Sequence, residues 1–344
     1  MNFASDNSYG AWPEIVAAVG AAAAGAVPSY GEDALTAKVR ARLAELFERD
    51  LAVFPVISGT AANALALATL VPPYGAIFCH GESHIAVDEC GAPEFYTHGA
   101  KLALLEGEDG KLVPATLERA LGHFQKGFVH HVQPACLSVT QATELGTVYR
   151  PGEIAALAAL AHAHGMKVHM DGARFANALA HLGCTPADAT WRAGVDAMSF
   201  GATKNGALGA EAVIFFNPAE ARDFEYRRKK AGHLLSKMRF VSAQLDAYLE
   251  GTRWLDHAAR ANGLARKLAA GLSGAPGAEL AHPVEANAVF VTLPCATVER
   301  LRRLGASFYD WSPPKGGRTL VRLVASFATP EEDVERFVKM ASSE

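Results

Sequence analysis

Lys204 stands in the stretch SFGATKNGALGAE, just after the apolar run Ala197-Met198-Ser199-Phe200, with Gly201, Gly206 and Gly209 around it. A lysine among small, uncharged neighbours is poorly solvated and has room beside it for a planar ring, which suits imine chemistry with an aldehyde. Asp171 ends the run Lys167-Val168-His169-Met170 and opens Asp171-Gly172-Ala173-Arg174. An acid placed there needs a cationic partner such as a protonated pyridine nitrogen; an ion pair with Arg174 or a helix cap is the plainer alternative. Ser58-Gly59-Thr60-Ala61 joins an apolar run to an alanine-rich helical pattern. Small residues there let backbone N–H groups and a hydroxyl reach a phosphate at the positive helix end, although Thr60 as a simple N-cap explains the same residues. His84, in CHGESHI, offers a flat ring that can stack on an aromatic cofactor or move a proton near neutral pH, while a lone histidine is more often structural. Together these are a phosphate turn, a stacking ring, an acid for a ring nitrogen and a lysine for an aldehyde. Their chain order is the one expected for pyridoxal 5'-phosphate (PLP).

Such groups act together only if the chain brings them to one crevice. From about residue 50 to 217 short apolar runs alternate with helical patterns. Strands are expected at Val53–Ile57, Ala76–His80, Leu102–Leu105, Phe128–Val132, Lys167–Met170, Ala197–Phe200 and Val213–Phe216. Pro55 pushes the first towards a sheet edge. Helices are expected at Thr60–Leu70 and at Pro151–His164, the latter opened by proline and stopped by Gly165. Strand–helix–strand repetition means βαβ units and a mostly parallel α/β sheet, whose ligands bind beyond the carboxyl ends of the strands. Lys101 and Lys167 begin strands and so lie at the wrong edge. Residues 219–270 read as mostly helical, and GLSGAPGAE at 271–279 as a loop. A large domain is expected over 1–245 and a smaller C-terminal α+β domain over 246–344.

The 344 residues are 50% hydrophobic and 20% charged with a net charge of −4, the make-up of an ordinary globular protein without a basic footprint for nucleic acid. No apolar run approaches the roughly 20 residues of a bilayer span, and the N-terminus lacks the pattern of a signal peptide. Five cysteines without CxxC spacing point to reduced thiols in the cytoplasm, and no metal motif occurs. His162 and His164 read as solvated helix-end residues. GxGxxG and P-loop patterns are absent.

Nearly end to end, the chain resembles the low-specificity L-threonine aldolases, PLP enzymes of fold type I. The resemblance rests on SDNSYG (5–10), SYGED (29–33), SGTAANALAL (58–67), SHIAVDECGAPE (83–94), TQATELGTVY (140–149), HMDGARFANAL (169–179), SFGATKNG (199–206) and RLVASFAT (322–329). It implies an aminotransferase-like fold and retro-aldol cleavage of threonine and related β-hydroxy amino acids to glycine and an aldehyde. It also implies Lys204 as the Schiff-base lysine, Asp171 as partner of the pyridine nitrogen and His84 as the stacked ring. Gly59, Thr60, Arg174 and Thr203 would line the cofactor. Ser5, Arg174 and Arg322 would hold the substrate carboxylate. His131, in FVHHVQ, matches a position near the substrate hydroxyl, with His130 on the opposite strand face. Glu89 matches a family glutamate and suits a role orienting His84. Where some relatives carry ENTHN, this chain has Gln141 and Thr143. The family further implies a homotetramer, a dimer of dimers, with Tyr30 and the basic run near Lys229 reaching a neighbour's site. The rival readings are a PLP-dependent β-eliminating lyase on the same scaffold and a non-catalytic PLP-binding protein.

Overall fold

The computed structural model describes residues 1–343. Seven strands form the main sheet: β1 (Ala52–Val56), β2 (Gly75–His80), β3 (Lys101–Leu105), β4 (Gln133–Thr140), β5 (Lys167–Gly172), β6 (Ala197–Gly201) and β7 (Glu211–Phe215). Their order is β1-β7-β6-β5-β4-β2-β3. β2 through β6 pair in parallel, and β7 alone runs against its neighbours. β1, β2, β4, β5 and β6 therefore end along one edge, where β7 begins. β1 is the edge strand that Pro55 called for, and the Pro55 carbonyl accepts from Arg228 Nη1 at 3.2 Å. Helices Gly59–Leu70 and Pro151–Ala163 start and stop within a residue of expectation.

One expected strand is corrected. Residues 128–132 form turns, and β4 begins only at Gln133. The apolar residues there imitate a strand, but the Gln133 side chain closes the segment into a loop. Its amide accepts from Gly127 N at 2.8 Å and donates to the carbonyls of Phe128 and His131 at 3.3 and 3.0 Å.

A second, antiparallel sheet has the order β10-β11-β9-β8, from β8 (Glu279–Leu280), β9 (Ala288–Pro294), β10 (Tyr309–Asp310) and β11 (Arg318–Val324). Val289, Val291, Leu293, Val321 and Leu323 alternate inward against Leu264, Leu268 and Phe337 of the covering helices. Position 245 falls inside the helix Arg239–Tyr248. The change of core comes later, within the helix Arg253–Leu272: Trp254 and Ala258 pack in the large core, Leu264 onward in the small one. The chain's first residues also join the small unit. Phe3 is buried in its core, 5.2 Å from Phe337, and Asn2 bridges to Ser307.

Candidate active site

After β6 the chain makes a single 3₁₀ turn, Thr203–Asn205, closed by Gly206 at φ +116°. That backbone conformation suits glycine, and a Cβ at Gly206 would also fall inside the Trp12 indole. Trp12 N donates to the Gly206 carbonyl at 3.0 Å. Asn205 Nδ2 donates to Tyr248 Oη at 2.9 Å and to the Trp254 carbonyl at 2.8 Å. The turn carrying Lys204 is thus bolted to three helices. Its neighbours along the chain are small and uncharged, but its neighbours in space are not: its charge acts on Asp6, His84, Asp171 and Glu211. The uncharged surroundings read from the sequence give way to a cluster of acids.

Asp171 lies at the end of β5, buried, with Oδ1 accepting from Ala173 N at 3.0 Å and Oδ2 from Asn63 Nδ2 at 2.8 Å. Burial alone would raise this acid; the charges of His84 and Lys204 and the Ala173 N–H outweigh it and hold Asp171 below the usual carboxylate range. The Asn63 amide also donates to Glu89 Oε1 at 2.8 Å and accepts from Ser199 Oγ at 2.6 Å. Glu89 Oε1 in turn meets His84 Nδ1 at 2.9 Å. That bond raises the His84 pKa above its ordinary value, while burial raises Glu89. Two residues before Asp171 on the same strand face, His169 is held by Ser138 Oγ at 2.9 Å and pushed down to about 4 by burial, so it is neutral.

Ser58, not Thr60, caps the Gly59–Leu70 helix, its Oγ accepting from Ala61 N at 3.3 Å. This leaves the N–H groups of Gly59 and Thr60 and the Thr60 hydroxyl without partners among the described residues. Gly59 opens onto free space. Unpaired donors at a helix N-terminus, an ionised acid and a lysine along one sheet edge fit pyridoxal phosphate. Thr203 is tied more closely than expected, its Oγ1 lying 3.1 Å from Ala210 N and 3.4 Å from the Ala210 carbonyl.

Arg174 follows β5 and grips Asp6 with two bonds, Nε to Oδ2 at 2.8 Å and Nη2 to Oδ1 at 3.0 Å. Burial would raise Asp6, but Arg174 prevails and holds it low. Ser5 caps the turn Asp6–Ser8 through Asn7 N at 3.1 Å. Arg322, on β11, lies with its guanidinium 5.0 Å from the Trp311 ring centre. It has no hydrogen-bonded acid among the described residues, and burial and then the charge of Arg174 depress its pKa. Both arginines line a gap of about 10 Å³ with Thr143, Glu144 and Asn287. A larger groove, about 1250 Å³, runs beside edge strand β3 and holds none of these groups.

His131 is not among them. It lies exposed in the turn before β4, at the amino edge of the sheet, where its Nδ1 accepts from Gln125 N at 3.3 Å. The eight residues of β4 separate it from the site, roughly 25 Å of strand. Within this chain it does not reach the substrate hydroxyl, because the strand starts later than the pattern of FVHHVQ implies. Gln141 is buried and bonds the Tyr149 backbone, while Thr143 pairs with Thr147 Oγ1 at 2.7 Å; both shape the loop. Tyr30 is exposed, with Lys229 Nζ 4.6 Å from its ring centre. Asp6, Asn63, Ser199 and Glu144 are site residues that sequence reasoning passed over. Asn63 alone left a signal, a polar side chain in an otherwise apolar stretch of helix.

The large, mostly parallel sheet with its smaller antiparallel partner is the fold of the type-I PLP enzymes. The model of the β-eliminating lyase family matches residues 2–296. The chain is 46% identical to a low-specificity L-threonine aldolase of a Pseudomonas species over 92% of this chain and 91% of that one. It is 45% identical to the protein of that name from Pseudomonas aeruginosa over 99% and 96%. The solved threonine aldolase of Leishmania major superposes with a TM-score of 0.93 at 31% identity, covering 99% of this chain and 98% of that one. The chain belongs to the low-specificity L-threonine aldolase family.

Proposed function

We propose that this chain cleaves L-threonine, L-allo-threonine and related β-hydroxy-α-amino acids reversibly to glycine and an aldehyde, with pyridoxal phosphate carried on Lys204. The observation that carries the reading is Arg322. A half-buried guanidinium with no acid bonded to it among the described residues, beside a second guanidinium, suits an anion. The substrate carboxylate meets that need, held bidentately as arginine holds such groups. Arg174 and Arg322, with Ser5 close by, fix the rotation about Cα and so decide which of its bonds is set to break. His84, held by Glu89 through Nδ1, keeps Nε2 for the β-hydroxyl proton, taken directly or through a water. The Cα–Cβ bond then breaks, the carbonyl forms on the departing fragment, and a proton returns to Cα. Bound pyridoxal phosphate supplies the sink for the electron pair left at Cα. Asp171, ionised, would hold the positive charge on the ring nitrogen. Gly59 and Thr60 would offer their free donors to the phosphate, with Thr203 beside them.

We also infer a cytoplasmic homotetramer built as a dimer of dimers. The exposed Tyr30–Lys229 pair supports a surface that serves a neighbour's site, and five free cysteines suit a reducing compartment. Acetaldehyde release from each threonine diastereomer tests the activity. 2-Oxobutyrate and ammonia in place of acetaldehyde and glycine would move the chain to β-elimination. Lys204→Ala should lose the visible absorbance of the lysine-linked cofactor; an unchanged band would remove Lys204 from that role.

A further inference from the structure

The Asn63 amide stands where four elements meet. It projects from the second turn of the Gly59–Leu70 helix and is 2% exposed. One Nδ2 hydrogen goes to Asp171 of β5 and the other to Glu89, each at 2.8 Å, while Oδ1 takes the hydroxyl of Ser199 of β6 at 2.6 Å. This pattern fixes the amide's orientation, because the reversed amide would set its oxygen against two carboxylates. No other side chain of this size donates twice and accepts once. Leucine would strand Asp171 Oδ2 and leave Glu89 Oε1 with His84 alone, serine could serve one of the two acids, and aspartate would add a third acid.

We propose that Asn63 is a positioning residue that joins the Asp171 carboxylate and the Glu89–His84 pair into one unit, so that the acid facing the cofactor nitrogen and the histidine over the ring keep their charge states together. The proposal rests on the roles assigned above to Asp171 and His84. The groups acting on His84 are Glu89 by its hydrogen bond, Asp171 from β5, Glu144 from the loop after β4, and Lys204 from the turn after β6. Asn63 touches two of these. Without its donor the ionised form of Glu89 is disfavoured, and His84 loses part of what stabilises its cation. Asp171 likewise becomes easier to protonate. Both changes push the His84 titration the same way, downward.

The test is the histidine titration of the cofactor-free protein by NMR, with the His84 resonance assigned by its loss in His84→Asn. Asn63→Leu should lower the apparent His84 pKa by about half a unit or more, and weaken pyridoxal phosphate binding about tenfold or more. A purely structural role would weaken cofactor binding and leave the titration in place, which would overturn the proposal. Should Asn63→Leu not fold, Asn63→Ser is read on the same criterion: a lowered titration supports the bridge, an unmoved one in folded protein removes it. Because the titration needs neither cofactor nor turnover, it stands apart from the activity reading. Absence of acetaldehyde with the shift intact would sink only the proposed reaction.

Discussion

Glu211 opens β7, directly across from Val56 and Gly201, on the sheet face that Val56 and Val213 share with Ala62 and Leu65 of the Gly59–Leu70 helix. It is 6% exposed, and burial pushes its carboxyl up to about 7 from 4.5. An acid whose folded pKa is raised weakens the fold as pH climbs. Below 4.5 both states hold the proton and nothing is lost. Between 4.5 and about 7 the unfolded chain has released it and the native one has not, so stability falls with pH. Above that window the penalty is constant, about 3 kcal/mol from about 2.5 pKa units at about 1.36 kcal/mol each. Glu211→Gln should therefore flatten the stability profile through this window and be the more stable protein at pH 8. Urea unfolding of both proteins across pH 4–8 checks this; parallel profiles would show that Glu211 is not the buried acid responsible. Asp171 shows the opposite balance: burial again acts to raise the acid, but the nearby charges of His84 and Lys204 prevail.

At the scale of elements, the site is a set of strand ends, and that is why much of it was legible in the sequence. Asp171, Lys204 and the Ser58–Thr60 turn each follow an apolar run, and a parallel sheet delivers the residues after such runs to one edge. The same logic sets His131 apart from this chain's own strand ends, since a strand that starts at Gln133 puts it before the strand rather than within it. Asp6 and Ser199 were hidden because their meaning lies in hydrogen bonds across 168 and 136 residues of chain, which no local pattern records; Asn63 stood out as a polar residue in an apolar helix, but its partner 108 residues away did not. The turn after β6 shows how tightly an element holds its lysine. Gly206→Ala meets both a positive φ and the Trp12 ring. It should cost about 2 kcal/mol or more and reduce the visible cofactor absorbance per mole of protein. A variant with the parent melting temperature and full absorbance would mean that Trp12 yields and the turn is not rigid.

At the scale of the whole molecule, the carboxylate site lies on a seam. Arg174 lies just after β5 of the large sheet and Arg322 within β11 of the small one, and the N-terminal segment is threaded between them. Phe3 N and O bond the Ser307 and Val324 backbones at 2.8 Å each, which fixes the segment to the small unit. Three residues later Asp6 takes the Arg174 fork, and its Oδ2 also accepts from Asn287 Nδ2 at 3.1 Å. Asp6 is 3% exposed, so the charge pair is desolvated, and removing one partner strands the other at about 3–5 kcal/mol. Asp6→Ala should show that loss in unfolding free energy. It should also leave Arg174 without the fork that aims it, raising KM for threonine several-fold while the visible cofactor band persists, because Asp171, Asn63 and Lys204 do not depend on Asp6 for their hydrogen bonds. Steady-state kinetics on cofactor-saturated protein separates the two effects. An unchanged KM beside a lowered stability would make Asp6 a clasp between the two units and leave the aim of Arg174 to other contacts. A lost cofactor band would place the seam's influence deeper, at the lysine itself, whose charge also helps hold Asp6 ionised.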